Sequence, residues 1–172
     1  MNTMQSIRIE KLTLNIGAGK DQTKLERGMS LIKAVCGVEP IKTITNKRIA
    51  AWGLRPGLPI GCKLTLRKNA AKTLLPRLLA AKENKLTLTN FDECGNLSFG
   101  IHEYIDIPGV TYDPKIGVLG LQVCVTLERP GYRIKRRKHA PRRIPHKHQI
   151  SRQDSITFFQ KSFGVHVEGA AQ

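Results

Sequence analysis

Leu119, Leu121, Val123, Val125 and Leu127 alternate without a break with Gly120, Gln122, Cys124 and Thr126. Alternation with a period of two sends successive side chains to opposite faces of a strand, so this run requires a sheet with one apolar and one polar face. Two further stretches show the same pattern. Over residues 60–67, Cys62, Leu64 and Leu66 face one way, and Lys63, Thr65 and Arg67 face the other. Over residues 7–16, Ile7 and Ile9 alternate, the phase slips at Lys11, and Leu12, Leu14 and Ile16 resume it. A slip of one residue predicts a β-bulge. On the resumed phase, Thr13 and Asn15 point away from the core.

The elements between these strands fill in a fold. Thr23 with Glu26 reads as a capping box that opens a helix. Its apolar face is Leu25, Met29, Ile32 and Cys36, and Gly37 is placed to end it. Leu74, Leu75, Leu78 and Leu79 predict a second helix over residues 69–82. Pro76 objects, because an interior proline removes a hydrogen bond at a cost of about 3 kcal/mol. Either this helix is kinked there or its regular part starts near Leu75. Shorter strands are predicted over 40–46, 86–89 and 97–101, with a turn over 92–96 and loops over 47–61 and 105–117. Gly17-Ala18-Gly19-Lys20 lacks the glycines of a phosphate loop and reads as a strand-to-helix turn. The expected fold class is α+β, a mostly antiparallel sheet with helices packed on one face, plus a basic C-terminal extension ending in a short helix. The expected division is an α+β body over residues 1–128 and the extension with its helix over 129–172.

Charge selects the partner. Twenty-nine Lys and Arg against 13 Asp and Glu give a formal net charge of +16. A field of that size concentrates polyanions: nucleic acid is the first candidate, an anionic membrane surface the second. Residues 129–152 hold ten Lys or Arg and no acid, interrupted by Pro130, Pro141 and Pro145. Such a segment is expected to be extended when free and to dock on a polyanion. A purely solubilising tail would not explain the helix signal that comes after it. Ser151 and Asp154 make another capping box, and Ile156, Phe159 and Phe163 mark an apolar helix face closed by Gly164. No apolar run approaches the about 18 residues of a membrane-spanning helix, so none is expected, and no membrane partner is assigned.

Chemistry other than binding finds little support. Cys36, Cys62, Cys94 and Cys124 have no metal-like or redox spacing and read as small core-like thiols. His146-Lys147-His148 lacks a second ligand pair and reads as part of the basic segment. No metal, cofactor or catalytic residue is expected, and the rival class is an RNA-modifying or RNA-processing enzyme. The outward residues Thr13, Asn15, Lys63, Thr65 and Arg67 suit a phosphate backbone, although an ordinary solvated face would look alike. The short strand adds Lys42 and Thr45, and the basic segment adds Arg133, Lys135, Arg136, Arg137, Lys138, Arg142 and Arg143. The loop around Trp52 admits two readings: the indole folds back onto the body, or it projects with Arg55 toward a partner.

Several stretches together resemble one family, the universal L-five proteins of the large ribosomal subunit, called L-eleven in eukaryotes. They are residues 11–17 (KLTLNIG), 53–67 (GLRPGLPIGCKLTLR), 91–101 (FDECGNLSFGI), 107–109 (IPG), 112–114 (YDP) and 129–133 (RPGYR). They occur in the family's order and span most of the chain. The basic run and final capped helix are similar to archaeal and eukaryotic members, and the loop 56–61 to archaeal and bacterial ones, which favours an archaeal type. Pro76 departs from relatives, which usually lack proline there. The resemblance implies a cytoplasmic, ribosome-bound protein that binds 5S and large-subunit ribosomal RNA in the central protuberance. It implies a loop of Trp52, Gly53, Leu54, Arg55, Pro56 and Gly57 toward the P-site transfer RNA. It also implies Tyr112, Asp113 and Pro114 near a protein of the small-subunit head, and a neighbouring 5S-binding ribosomal protein. Without the resemblance, residues 112–114 are only a surface turn.

Overall fold

The computed structural model describes residues 2–169. Strand β1 (Arg8–Gly17) lies at the centre of a five-stranded sheet. In chain order the other members are β2 (Ile41–Ile44), β3 (Pro59–Leu66), β5 (Leu97–Ile101) and β6 (Leu121–Glu128), and the spatial order is β2-β3-β1-β6-β5, every pair antiparallel. Residues directly opposite in such a pair share a face. Leu12 lies opposite Leu66 and Val125, and Leu14 opposite Leu64 and Val123, so the apolar sets of three strands fall together. The expected bulge is present as a register shift between Ile9 and Lys11, with Glu10 as the extra residue.

Helices α1 (Gln22–Cys36) and α2 (Lys68–Ala80) pack against β1 and β3. Leu12, Leu14, Leu25, Leu31, Ile32, Leu75, Leu78 and Leu79 are fully buried. Each such side chain contributes about 1.5–3 kcal/mol relative to exposure. The cap of α1 differs from expectation. Asp21, not Thr23, is the N-cap, because the helix begins at Gln22. Its carboxylate accepts from the Thr23 hydroxyl and from the Thr23 and Lys24 N–H groups. The Thr23 hydroxyl first, and then the Lys24 N–H, hold that carboxyl below its ordinary pKa. The buried face of α1 is also turned from the expected one: Leu25, Gly28, Leu31, Ile32 and Val35 are buried, while Met29 and Cys36 are half-buried. Gly28 explains the turn, since a Cβ there would stand 3.2 Å from Ile16 and 3.3 Å from the Cys62 sulfur.

Helix α2 starts at Lys68 and runs through Pro76, so its regular part does not wait for Leu75. Pro76 and Lys72, one turn earlier, are both exposed, and water can satisfy the carbonyl that proline leaves without a donor. The strand expected over 86–89 is shorter, β4 (Lys85–Thr87), and lies outside the main sheet. It pairs in parallel with a strand the sequence reading missed, β7 (His166–Glu168).

Residues 129–151 are not an extended arm. They make short 3-10 turns at Tyr132–Lys135 and His146–His148. The Tyr132 ring is buried, and its hydroxyl donates to the His148 carbonyl and accepts from the Ile150 N–H. Helix α3 (Arg152–Phe163) begins with the expected Ser151–Asp154 capping box. Ile150, Ile156, Phe159 and Val165 belong to the same buried core as the sheet, and the Phe159 ring meets that of Phe91 edge-on at 6.0 Å. Gly95 lets the chain come this close. It has φ +74°, and a Cβ there would lie 2.6 Å from Ile150. Phe159→Ala is therefore expected to destabilise the whole protein by about 3–5 kcal/mol in denaturant unfolding. A parent-like midpoint would mean that α3 is not part of the common core.

Candidate nucleic-acid interface

With helices packed from one side, the polar phase of each strand lies on the opposite face. The register assembles that face into rows. Ser98, Cys124, Thr13 and Thr65 are successive cross-strand neighbours, and so are Gly100, Gln122, Asn15, Lys63 and Ile41. Lys11 and Thr126 form the next pair toward the bulge. None of these positions is acidic. Asn15 and Gln122 touch across the strands through Nδ2 and Oε1 at 3.4 Å. Amides and hydroxyls in such a row offer both donors and acceptors, and Lys11 and Lys63 add positive charge without repelling a phosphate backbone.

The structure brings together four of the expected residues on this face: Thr13, Asn15, Lys63 and Thr65. Ser98, Gln122, Cys124, Thr126 and Lys11 join them, and the sequence reading did not single them out, although the alternation over 119–127 already carried the signal for three. Lys42 does not join. It pairs with the buried Cys62 and so lies on the helix side. Thr45 is buried, and its hydroxyl donates to the Lys47 carbonyl at 3.0 Å, which ties it into its own loop. Arg67 follows β3 and reaches Glu10 at 3.4 Å.

The basic segment adjoins the open face at its bulged end. Lys11 and Thr126 of the sheet line one groove, of about 850 Å³, with Lys135, Arg143 and Gln149 of the segment. Arg133, Lys135, Arg137, Lys138, Arg142 and Arg143 are exposed. Arg136 is engaged internally, donating to both Glu10 and Glu128. The His148 ring nitrogen is likewise engaged, bonding the Pro130 carbonyl at 2.9 Å.

The other two expected sites lie elsewhere. Trp52 is 69% exposed, so the indole does not fold back onto the body, and Arg55, Pro56 and Gly57 are exposed beside it. Leu54 is buried and pins the loop through paired backbone bonds with Ile49, so its side chain does not project. Gly53 supplies the left-handed turn at φ +65°. Tyr112 is half exposed, and the Asp113 N–H donates to the hydroxyl of the buried Tyr104 at 2.9 Å. This loop sits beside the first turns of α1, with Asp113 and Lys115 near Thr23 and Arg27.

A one-sided α+β sheet whose polar rows carry no acid and run into a cationic segment is the build of a polyanion-facing protein. Known proteins narrow this class to one family. A model described as Ribosomal protein L5 matches residues 2–55, and one for the C-terminus of the same ribosomal family matches residues 59–158. The large ribosomal subunit protein uL5 of Nanoarchaeum equitans is 44% identical over 165 residues, covering 95% of this chain and 97% of that protein. Its counterpart in Sulfurisphaera tokodaii is 41% identical over 166 residues, 96% and 94% of the two chains. That of Methanosphaera stadtmanae is 40% identical over 168 residues, 98% and 100%. The chain belongs to the L5 family of large-subunit ribosomal proteins, as its motifs had suggested, and these relatives are archaeal.

The cysteines correct one expectation. Cys62 is buried and Cys36 half-buried, but Cys94 and Cys124 are exposed, Cys124 because it falls on the polar phase of β6. Burial pushes the Cys36 thiol up to about 11, and it raises that of Cys62 as well. The thiolate is the reactive form. Alkylation of the native protein near pH 8 is therefore expected at Cys94 and Cys124, with Cys36 and Cys62 reacting only on unfolding. Mass mapping showing early reaction at Cys62 would contradict this sheet orientation.

Proposed function

We propose that this chain is a structural constituent of the large ribosomal subunit, working in the cytoplasm on the ribosome, and that its open sheet face binds 5S ribosomal RNA. The observation that carries the reading is the continuous acid-free row structure of that face, from Ser98 across Thr13 to Thr65, adjoining the exposed cations of residues 133–143. Uncharged donors give geometry on ribose and phosphate, and the cations give affinity. The basic segment then contacts large-subunit RNA alongside. The relatives it matches are named as ribosomal proteins, which favours this reading over that of an RNA-modifying or RNA-processing enzyme.

Two further roles belong to the same proposal. The exposed Trp52 and Arg55 offer a stacking surface and a guanidinium to the P-site transfer RNA. Tyr112 and Pro114, on the helix side of the molecule, suit a contact with a protein of the small-subunit head. A neighbouring 5S-binding ribosomal protein completes the set of partners. Crosslinking from position 112 is expected to capture a small-subunit protein, and capture of large-subunit components alone would remove that role.

Binding to 5S ribosomal RNA at fixed salt tests the face. Asn15→Ala and Thr65→Ala are each expected to weaken it by about three- to tenfold. Lys63→Ala should weaken it and reduce the slope of log affinity against log salt by about 1. Lys42→Ala should be close to the parent, since that side chain lies on the other face. Saturating RNA should also slow alkylation of Cys124. If Asn15→Ala and Thr65→Ala bind as the parent does while remaining folded, the RNA lies elsewhere.

A further inference from the structure

A surface meant for a polyanion gains nothing from acids, yet Glu10 and Glu128 stand at the bulged end of the open face, next to the basic segment. Their side chains are only 7% and 12% exposed. A carboxylate withdrawn that far from water is costly unless donors and cations surround it. Three arginines do so. Arg8 approaches Glu128 Oε1 at 2.8 Å, and Arg67 approaches Glu10 Oε1 at 3.4 Å. Arg136 spans the pair, donating from Nη1 to Glu10 and from Nη2 to Glu128 Oε2 at 2.7 Å.

Arg8 and Arg67 come from the sheet and the turn after β3. Arg136 alone of the three comes from the basic segment, and it sits in the middle of the run Arg133, Lys135, Arg137 and Lys138. The N–H groups of Arg136 and Arg137 both donate to the Arg133 carbonyl at 2.9 Å. Holding the Arg136 guanidinium therefore holds the turn that presents its neighbours. Without that hold, like charges this dense push one another apart.

We infer that Glu10 and Glu128 are positioning residues for RNA binding: two acids that, through Arg136, fix the cationic segment before the RNA arrives. The inference rests on the proposed reading of this surface as the RNA site. Its sign is opposite to that of charge alone. Removing either acid makes the net charge of +16 one unit more positive. Counterion release by itself would then keep or raise affinity for any RNA. Loss of preorganisation lowers affinity for the RNA whose phosphates fit the fixed arrangement.

The test uses the full chain with two probes, transcribed 5S ribosomal RNA and polyuridine. Glu10→Gln and Glu128→Gln keep the shape and an acceptor oxygen. Each is expected to bind 5S RNA about five- to tenfold more weakly, with polyuridine affinity unchanged or higher. Arg136→Gln should also weaken 5S binding, and adding Glu10→Gln to it should change affinity by less than about twofold, as expected for groups acting together. Glutamine variants that bind 5S RNA as well as the parent, or that lose both RNAs equally, overturn the inference. So does melting of both variants below the assay temperature, because the carboxylates would then support the body itself. A parent that does not prefer 5S RNA to polyuridine fails one step earlier, at the reading of the surface.

Discussion

Burial of a single sheet face is the constraint on which the rest depends. Leu12, Leu14 and Ile16 of the central strand, with their partners on β3 and β6, all look toward the helices. An antiparallel sheet can leave its other face in water provided that face is polar, and this one is. The spacing of its polar side chains is then fixed by backbone hydrogen bonding, with neighbouring strands about 4.8 Å apart. The hydroxyls and amides facing outward are thus held by the same ladder that holds the core, and their arrangement needs no loop to order it.

At one end of the sheet, electrostatics takes over from packing. The bulge at Glu10 brings a carboxylate close to that of Glu128, and neither can stay there uncompensated. That requirement draws the basic segment back onto the body, and Tyr132, Ile150 and Phe159 complete the return with apolar burial. Composition alone shows the segment as cationic and proline-broken, and so suggests a free arm. Ion pairing between residues 126 positions apart has no local signature in sequence.

The part of the structure legible in advance is the part set by short-range physics. The faces of β1, β3 and β6 were legible because period-two alternation is a local property, and the bulge was legible as a slip in that alternation. The second capping box was legible at Ser151, but at α1 the backbone N–H groups of Ala18 and Gly19 bond the Ile60 carbonyl, and the helix starts early enough for Asp21 to cap it. Lys42 is a candidate by its charge and strand alone, because β2 lacks alternation: Ile41 and Ile44 are both exposed, and only its register against β3 shows where Lys42 points. Thr45 reads as part of a short strand and Leu54 as a loop residue, and the burial of both depends on bonds made within the loop that follows β2. β7 is three residues long and exists because β4 is there to pair with it.

The order of the strands also sets a timetable. Residue 12 of the central strand is made early, but its partner Val125 is made more than a hundred residues later, and Lys85 waits for His166. A chain growing from its N-terminus therefore carries Leu12 and Leu14 with at most one neighbouring strand until β6 has been made. Phe91 stays uncovered until Phe159 has emerged. Folding of this kind is non-local, hence slow, and leaves apolar surface open to other chains in the meantime. Once β6 has covered Leu12 and Leu14, the surface around Phe91 is the one still waiting, because its partner ring lies on α3.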